Sequence, residues 1–311
     1  MPSTSWGVIY CPKEGSAKTH KRWLKIRKYL EHKGVVFDFV QSEGPGSVER
    51  LAAMMTRSGY RTIVVVGGDS ALNHALNGIM RTPSPASSHP ALGVIPNGFG
   101  NDFARYWGMQ AADYKQTIDR LIYRHTRKID VGRIRFAVPE GDAETHYFIN
   151  CLHLGVAASI TRLRRRTHSI CSFKALSYLF AACCLLFKKM NFKYQFRLNG
   201  EVEKRSGMTL CVGSARGYGL TPSAVPYNGM LDLTLVKTPL TRQLLEGLWL
   251  LFTGHFLIHK GISVWRTSKV TFLHAAKTPL SVDGRSLTLT ASTLEVDILH
   301  DEIDFLVPLH I

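Results

Sequence analysis

The chain has 311 residues, 45% of them hydrophobic, enough for two domains with a core each. A formal net charge of +16 and a pI near 9.7 suit a polyanionic partner. With no RNA-binding or helix-turn-helix signature, the expected partner is an anionic membrane surface rather than nucleic acid. Six cysteines, at 11, 151, 171, 183, 184 and 211, form no Cys-x-x-Cys pair and no His/Cys metal cluster, which argues against zinc.

Residues 6–10 read as a first strand, so no signal peptide is expected. The longest apolar run, residues 175–187, is shorter than the roughly 20 residues a spanning helix needs. The expected location is therefore cytoplasmic, with peripheral contact on the inner face of the membrane. The first strand ends in Cys11-Pro12-Lys13-Glu14-Gly15, followed by a basic helix over 17–32. A second strand, 35–40, precedes Ser42. The next helix, 47–58, has Val48, Leu51, Ala52 and Met55 on one face and Ser47 as its N-cap.

Strand three, 62–66, runs into Gly67-Gly68-Asp69-Ser70. A helix with Leu72, Ala75, Leu76 and Ile79 on one face then leads to a fourth strand. That strand ends in Pro96-Asn97-Gly98-Phe99-Gly100-Asn101-Asp102. Strands separated by helices give an open parallel sheet, and loops after such strands lie along one edge, where α/β proteins bind ligands. Glycines let backbone N–H groups approach an anion, and a helix N-terminus adds partial positive charge. Asp69 would sit beside bound phosphates, to hold Mg²⁺ or to assist a proton transfer. Either loop alone is equally an ordinary strand-to-helix turn with a capping aspartate. Two of them, each with a carboxylate and about 30 residues apart as one βαβ unit requires, favour a nucleotide site.

After a helix near 112–123, the basic stretch 124–128 is the expected domain crossing. From residue 129 strands follow strands: 129–138, 145–152, 191–198, 208–212, 231–236, 264–272, 280–282 and 294–299. Two helical stretches interrupt them. Residues 160–190 carry Arg162, Arg164, Arg165 and Arg166 ahead of an apolar run, and residues 240–256 carry Leu244, Leu245, Leu248, Leu251 and Phe252. Each suits either a bilayer surface or a core with a solvated charged face.

VVVGGDSALNHALNGI followed by GVIPNGFGNDFAR resembles the diacylglycerol kinase, sphingosine kinase and ceramide kinase catalytic family. Asp130-Val131-Gly132, Phe148-Ile149-Asn150 leading to Gly155, and Pro222-Ser223-Ala224 leading to Asn228-Gly229-Met230-Leu231-Asp232 resemble it too. The resemblance implies an α/β N-terminal domain with an open, NAD-kinase-like parallel sheet over residues 1–128. A β-rich, β-sandwich-like domain over 129–303 would follow, with 304–311 returning to the first. It implies ATP and Mg²⁺, with nucleotide contacts from Pro12, Gly15, Ser42, Gly67, Gly68, Asp69, Ser70, Asn73, Gly98, Gly100, Asn101 and Asp102. It further implies a metal held by Asn228 with the carbonyls of Val225 and Met230; with the family's catalytic glutamate position held by Arg285, either Asp69 or Asp283 takes the proton or the hydroxyl loses it late, unaided. The γ-phosphate acceptor would be the hydroxyl of a diacylglycerol-like or long-chain-base lipid at a membrane surface. A homodimer is compatible with all of this.

The chain departs from the family pattern at Cys11, Ser70, Ala71, His74, Phe99 and Asn228. Arg285 stands where the family has its candidate base, a glutamate, and an arginine stays protonated. Two alternatives therefore stay open: a catalytically impaired homologue that binds nucleotide or anionic lipid, and a soluble kinase of NAD or a sugar phosphate.

Overall fold

The computed structural model describes residues 5–12, 17–85, 88–98, 100–136, 143–159, 191–238, 260–274, 278–288 and 293–308. Gly15, Phe99 and the stretches 160–190 and 240–256 lie outside the described residues. The chain forms two units, Met1–Val131 with His300–Ile311, and Gly132–Leu299. The division thus falls after residue 131, and the return to the first unit begins at His300.

The first unit alternates strands and helices: β1 (Trp6–Tyr10), α1 (Ala17–His32), β2 (Phe37–Gln41), α2 (Pro45–Arg57), β3 (Thr62–Gly67), α3 (Asp69–Met80), β4 (Ala91–Pro96), α4 (Asp102–Tyr106) and α5 (Tyr114–Leu121). Two long strands, β5 (Thr126–Phe136) and β16 (Leu294–Leu306), have one end in each unit. The parallel order is β2-β1-β3-β4-β16. Val64, Val65 and Val66 of β3 are fully buried, as a strand covered on both faces requires. β2 lies on one side of β1 and β3 on the other, so the winding direction reverses between β1 and β3. Open α/β sheets place their ligand crevice beyond the carboxyl ends of the strands at that point.

Helix α2 starts before Ser47. Its N-cap is Gly44, and Pro45 opens the first turn, where a missing N–H costs nothing. Ser47 Oγ instead reaches back to accept the N–H groups of Glu43 (3.0 Å) and Gly44 (3.2 Å). The end of β16 lies beside β4, with Phe305 paired to Leu92. The Phe305 ring packs edge-on to Phe103 of α4 at 5.1 Å and against Trp107 at 6.1 Å.

The second unit holds β6 (Glu144–Phe148), β7 (Cys151–Gly155), β8 (Phe192–Leu198), β9 (Glu201–Gly207), β10 (Thr209–Gly213), β11 (Leu231–Val236), β12 (Ile262–Thr267), β13 (Lys269–Phe272), β14 (Leu280–Val282) and β15 (Arg285–Leu287). β5 pairs with β6 and β16, and β16 continues through β13 and β8 to β9. The other sheet runs β12-β11-β10-β7-β14-β15. Phe148, Phe196, Phe272 and Val296 from the first meet Leu154, Leu210, Leu233 and Val282 from the second in one core.

Three strand expectations change. Residues 145–152 are two strands, broken at Ile149-Asn150, and 264–272 is two strands in different sheets, with Ser268 between them. β9, Glu-Val-Glu-Lys-Arg-Ser-Gly, has no apolar alternation, and its charges suit an edge strand.

Candidate active site

The two glycine loops meet backbone to backbone. A Cβ built on Gly98 would lie 2.6 Å from the Gly68 Cα, and one on Gly68 would lie 3.2 Å from the Gly98 Cα. A side chain at Gly98 would force the two backbones apart, and one at Gly68 would press on them. Asn97 N–H donates to the Gly67 carbonyl at 2.8 Å, continuing the β3–β4 ladder into the turns. Asn101, held at a left-handed φ of 50°, closes the second loop on itself. Its Oδ1 accepts the Gly98 N–H (3.0 Å) and its Nδ2 donates to the Gly98 carbonyl (3.1 Å).

Asp69 joins the loops. It is the first residue of α3, yet its carboxylate turns to the other loop and accepts the N–H groups of Asp102 (2.9 Å) and Phe103 (3.1 Å). It therefore caps α4 and not its own helix. The first intrahelical bond of α3 runs from Leu72 N–H to the Gly68 carbonyl, and among the described residues no side chain caps that helix. The N–H groups of Asp69, Ser70 and Ala71 precede that bond and make a positively polarised helix end. Burial pushes the Asp69 carboxyl above its ordinary range, against the pull of the two N–H donors.

Pro12, Ser42, Gly67, Gly68, Asp69, Ser70, Gly98, Gly100, Asn101 and Asp102 all lie at or just beyond the carboxyl ends of strands β1 to β4. Cys11 N–H donates to the Val66 carbonyl and Ser42 N–H to the Tyr10 carbonyl, tying the β1 and β2 exits to the β3 loop. Burial raises the Cys11 thiol to about 11, against a hydrogen bond with Ser42, so it is neutral at physiological pH. Asn73 is buried within α3, where its carbonyl accepts Asn77 Nδ2 at 2.9 Å. Asn97, absent from the sequence expectations, is buried and accepts Arg22 Nη1 at 3.3 Å while donating to the Thr19 carbonyl at 3.2 Å. Its place beside a glycine in a strand-terminal loop was the only signal for it.

The second-unit residues have other partners. The Asp283 carboxylate is buried and accepts three backbone N–H groups, from Ile149 (3.0 Å), Asn150 (3.1 Å) and Cys151 (2.8 Å). Asn228 Oδ1 accepts the Met230 N–H at 3.0 Å, and the Val225 carbonyl accepts the Tyr227 N–H at 2.9 Å. Those oxygens with the Met230 carbonyl are a neutral donor set, without the carboxylate a hard dication takes, so residues 225–230 do not fit Mg²⁺. The α3 end, with uncapped N–H groups beside two interlocked glycines, does fit a phosphate.

Residues 5–134 match the diacylglycerol kinase catalytic domain, and residues 150–299 match the YegS C-terminal NAD kinase beta sandwich-like domain. A diacylglycerol kinase of Staphylococcus carnosus is 25% identical over 285 residues, spanning 89% of this chain and 87% of its own. One from Bacillus subtilis is 23% identical over 286 residues, spanning 89% and 88%. The crystal structure of a diacylglycerol kinase from Bacillus anthracis shares the fold with a TM-score of 0.66 at 17% identity, over 99% of this chain and 98% of that one. Yeast NADH kinase complexed with NADH has a TM-score of 0.55 at 8% identity, over 99% and 85%.

Proposed function

We infer, for a chain that belongs to the diacylglycerol kinase catalytic-domain family, that it transfers the terminal phosphoryl group of ATP to a lipid hydroxyl. The acceptor class is a diacylglycerol-like or long-chain-base lipid. The bond from the bridging oxygen to the γ-phosphorus breaks, the lipid oxygen bonds to that phosphorus, and the hydroxyl proton is released. The observation that carries this reading is the contact between Gly68 and Gly98 beside an α3 N-terminus that no side chain of the described residues caps. The N–H groups of Asp69, Ser70 and Ala71 would hold the phosphates, and Asn101 and Asp102 would border them. Mg²⁺ would arrive with the nucleotide, neutralising its phosphates. Asp69 fixes the second loop against the first. Asp283 is assigned to the scaffold, because its oxygens already face three N–H donors.

A second reading, nucleotide or anionic-lipid binding without turnover, is favoured by Arg285, which occupies the glutamate position and cannot accept a proton. Transfer of labelled γ-phosphate to a panel of lipids in mixed micelles decides between them. The kinase reading expects one lipid class to be labelled and Asp69→Asn to lose about tenfold or more in rate. ATP binding with no labelled lipid would leave the binding reading, and labelled NAD in the absence of lipid would replace both.

A further inference from the structure

We propose that Cys151, His153 and Cys211 form a zinc site in the second unit, separate from the phosphate loops. Cys151 and His153 are two apart on β7 and so share a face. Cys211 of β10 stands directly opposite His153 in the antiparallel ladder, on that same face. Their neighbours Leu152, Leu154, Leu210 and Val212 point the other way, into the core. The three ligand atoms all lie within 4.8 Å of one another. Cys151 Sγ is 3.5 Å from His153 Nε2. Zinc bonds of about 2.3 Å to sulfur and about 2.0 Å to nitrogen, at a tetrahedral angle, give a sulfur–nitrogen edge of about 3.5 Å. All three residues are buried, His153 at 5% exposure.

The surroundings are buried and partly polar. Gly217 has φ +56°, and a Cβ there would lie 2.2 Å from Thr221 Oγ1 and 3.3 Å from both Cys211 Sγ and Cys151 Cβ, so this turn closes tightly over the two cysteines. Ser281 stands opposite His153 on β14, and Thr234 stands opposite Cys211 on β11. Both hydroxyls are fully buried and, among the described residues, have no hydrogen-bond partner. Two thiolates and a neutral imidazole around a dication sum to zero charge, which a buried site tolerates. Binding as a bis-thiolate releases up to two thiol protons to solvent. The fourth tetrahedral position is left for an exogenous ligand.

The ligands come from separate strands, so sequence spacing could not reveal them. The test uses the full chain, purified with a phosphine reductant, and reads zinc by elemental analysis and Co²⁺ by absorption. One zinc per chain is expected, and Co²⁺ should give thiolate charge-transfer and tetrahedral d–d bands. A variant with Cys11→Ser, Cys171→Ser, Cys183→Ser and Cys184→Ser should keep both signals. Cys211→Ser, checked by circular dichroism, should lose them. Absence of zinc and of cobalt bands from the reduced wild-type chain overturns the proposal, as does their loss in the fourfold variant. A Cys151–Cys211 disulfide that takes up no zinc after reduction overturns it equally. Should Cys211→Ser not fold, the wild-type and fourfold spectra still decide.

Discussion

Asp69 shows how one carboxylate serves two loops. Its pKa is raised in the folded state, so its contribution to stability is fullest below its ordinary value and is lost as pH rises through the folded one. Asp69→Asn keeps an acceptor for one N–H and removes the buried charge. Urea denaturation of both proteins from about pH 4 to about pH 7 should show the variant gaining on the wild type as pH rises. A constant difference across that range would contradict a raised carboxyl. Asp283 holds main-chain donors in the second unit. Asp283→Ala strands three buried donors and should lose roughly 3 kcal/mol or more, while Asp283→Asn loses less. Equal urea midpoints for the two variants would remove this scaffold role.

At the scale of elements, the return of β16 supports the second loop from behind. Phe305 packs on Phe103 and Trp107, α4 follows the loop, and Asp69 caps α4. Phe305→Ala should cost about 3–5 kcal/mol and weaken nucleotide binding together with stability. Unchanged thermal unfolding would show that α4 does not depend on that ring. The parallel strands and both glycine loops were legible in the sequence, because apolar strands, a 3.6-residue helical face and strand-terminal glycines are local signals. The grip of Asp69 on α4 was not, since its partners are main-chain N–H groups 33 and 34 residues away. Nor was the break at Ile149-Asn150, which Asp283 enforces from 134 and 133 residues away. The Cys151–His153–Cys211 cluster needs the β7–β10 register, which no spacing along one strand records.

For the whole molecule, the net charge of +16 is the feature most open to experiment. Among the described residues no helix is long and apolar enough to cross a membrane. We propose that the chain meets its lipid at an anionic surface through charge, an attraction screened over about 10 Å at 0.1 M salt. Cosedimentation with phosphatidylglycerol vesicles should fall steeply as salt rises, and equal binding to neutral vesicles would contradict this. The paired glycine loops are proposed as the phosphate site on which the transfer depends. Calorimetric titration of Mg²⁺-ATP into the wild type, Gly68→Ala and Gly98→Ala tests that role most directly. Binding by the wild type, weaker binding by Gly68→Ala and the largest loss in Gly98→Ala, whose Cβ would press on the Gly68 backbone, are expected. Equal affinity in all three proteins, or no binding by any, would contradict that role.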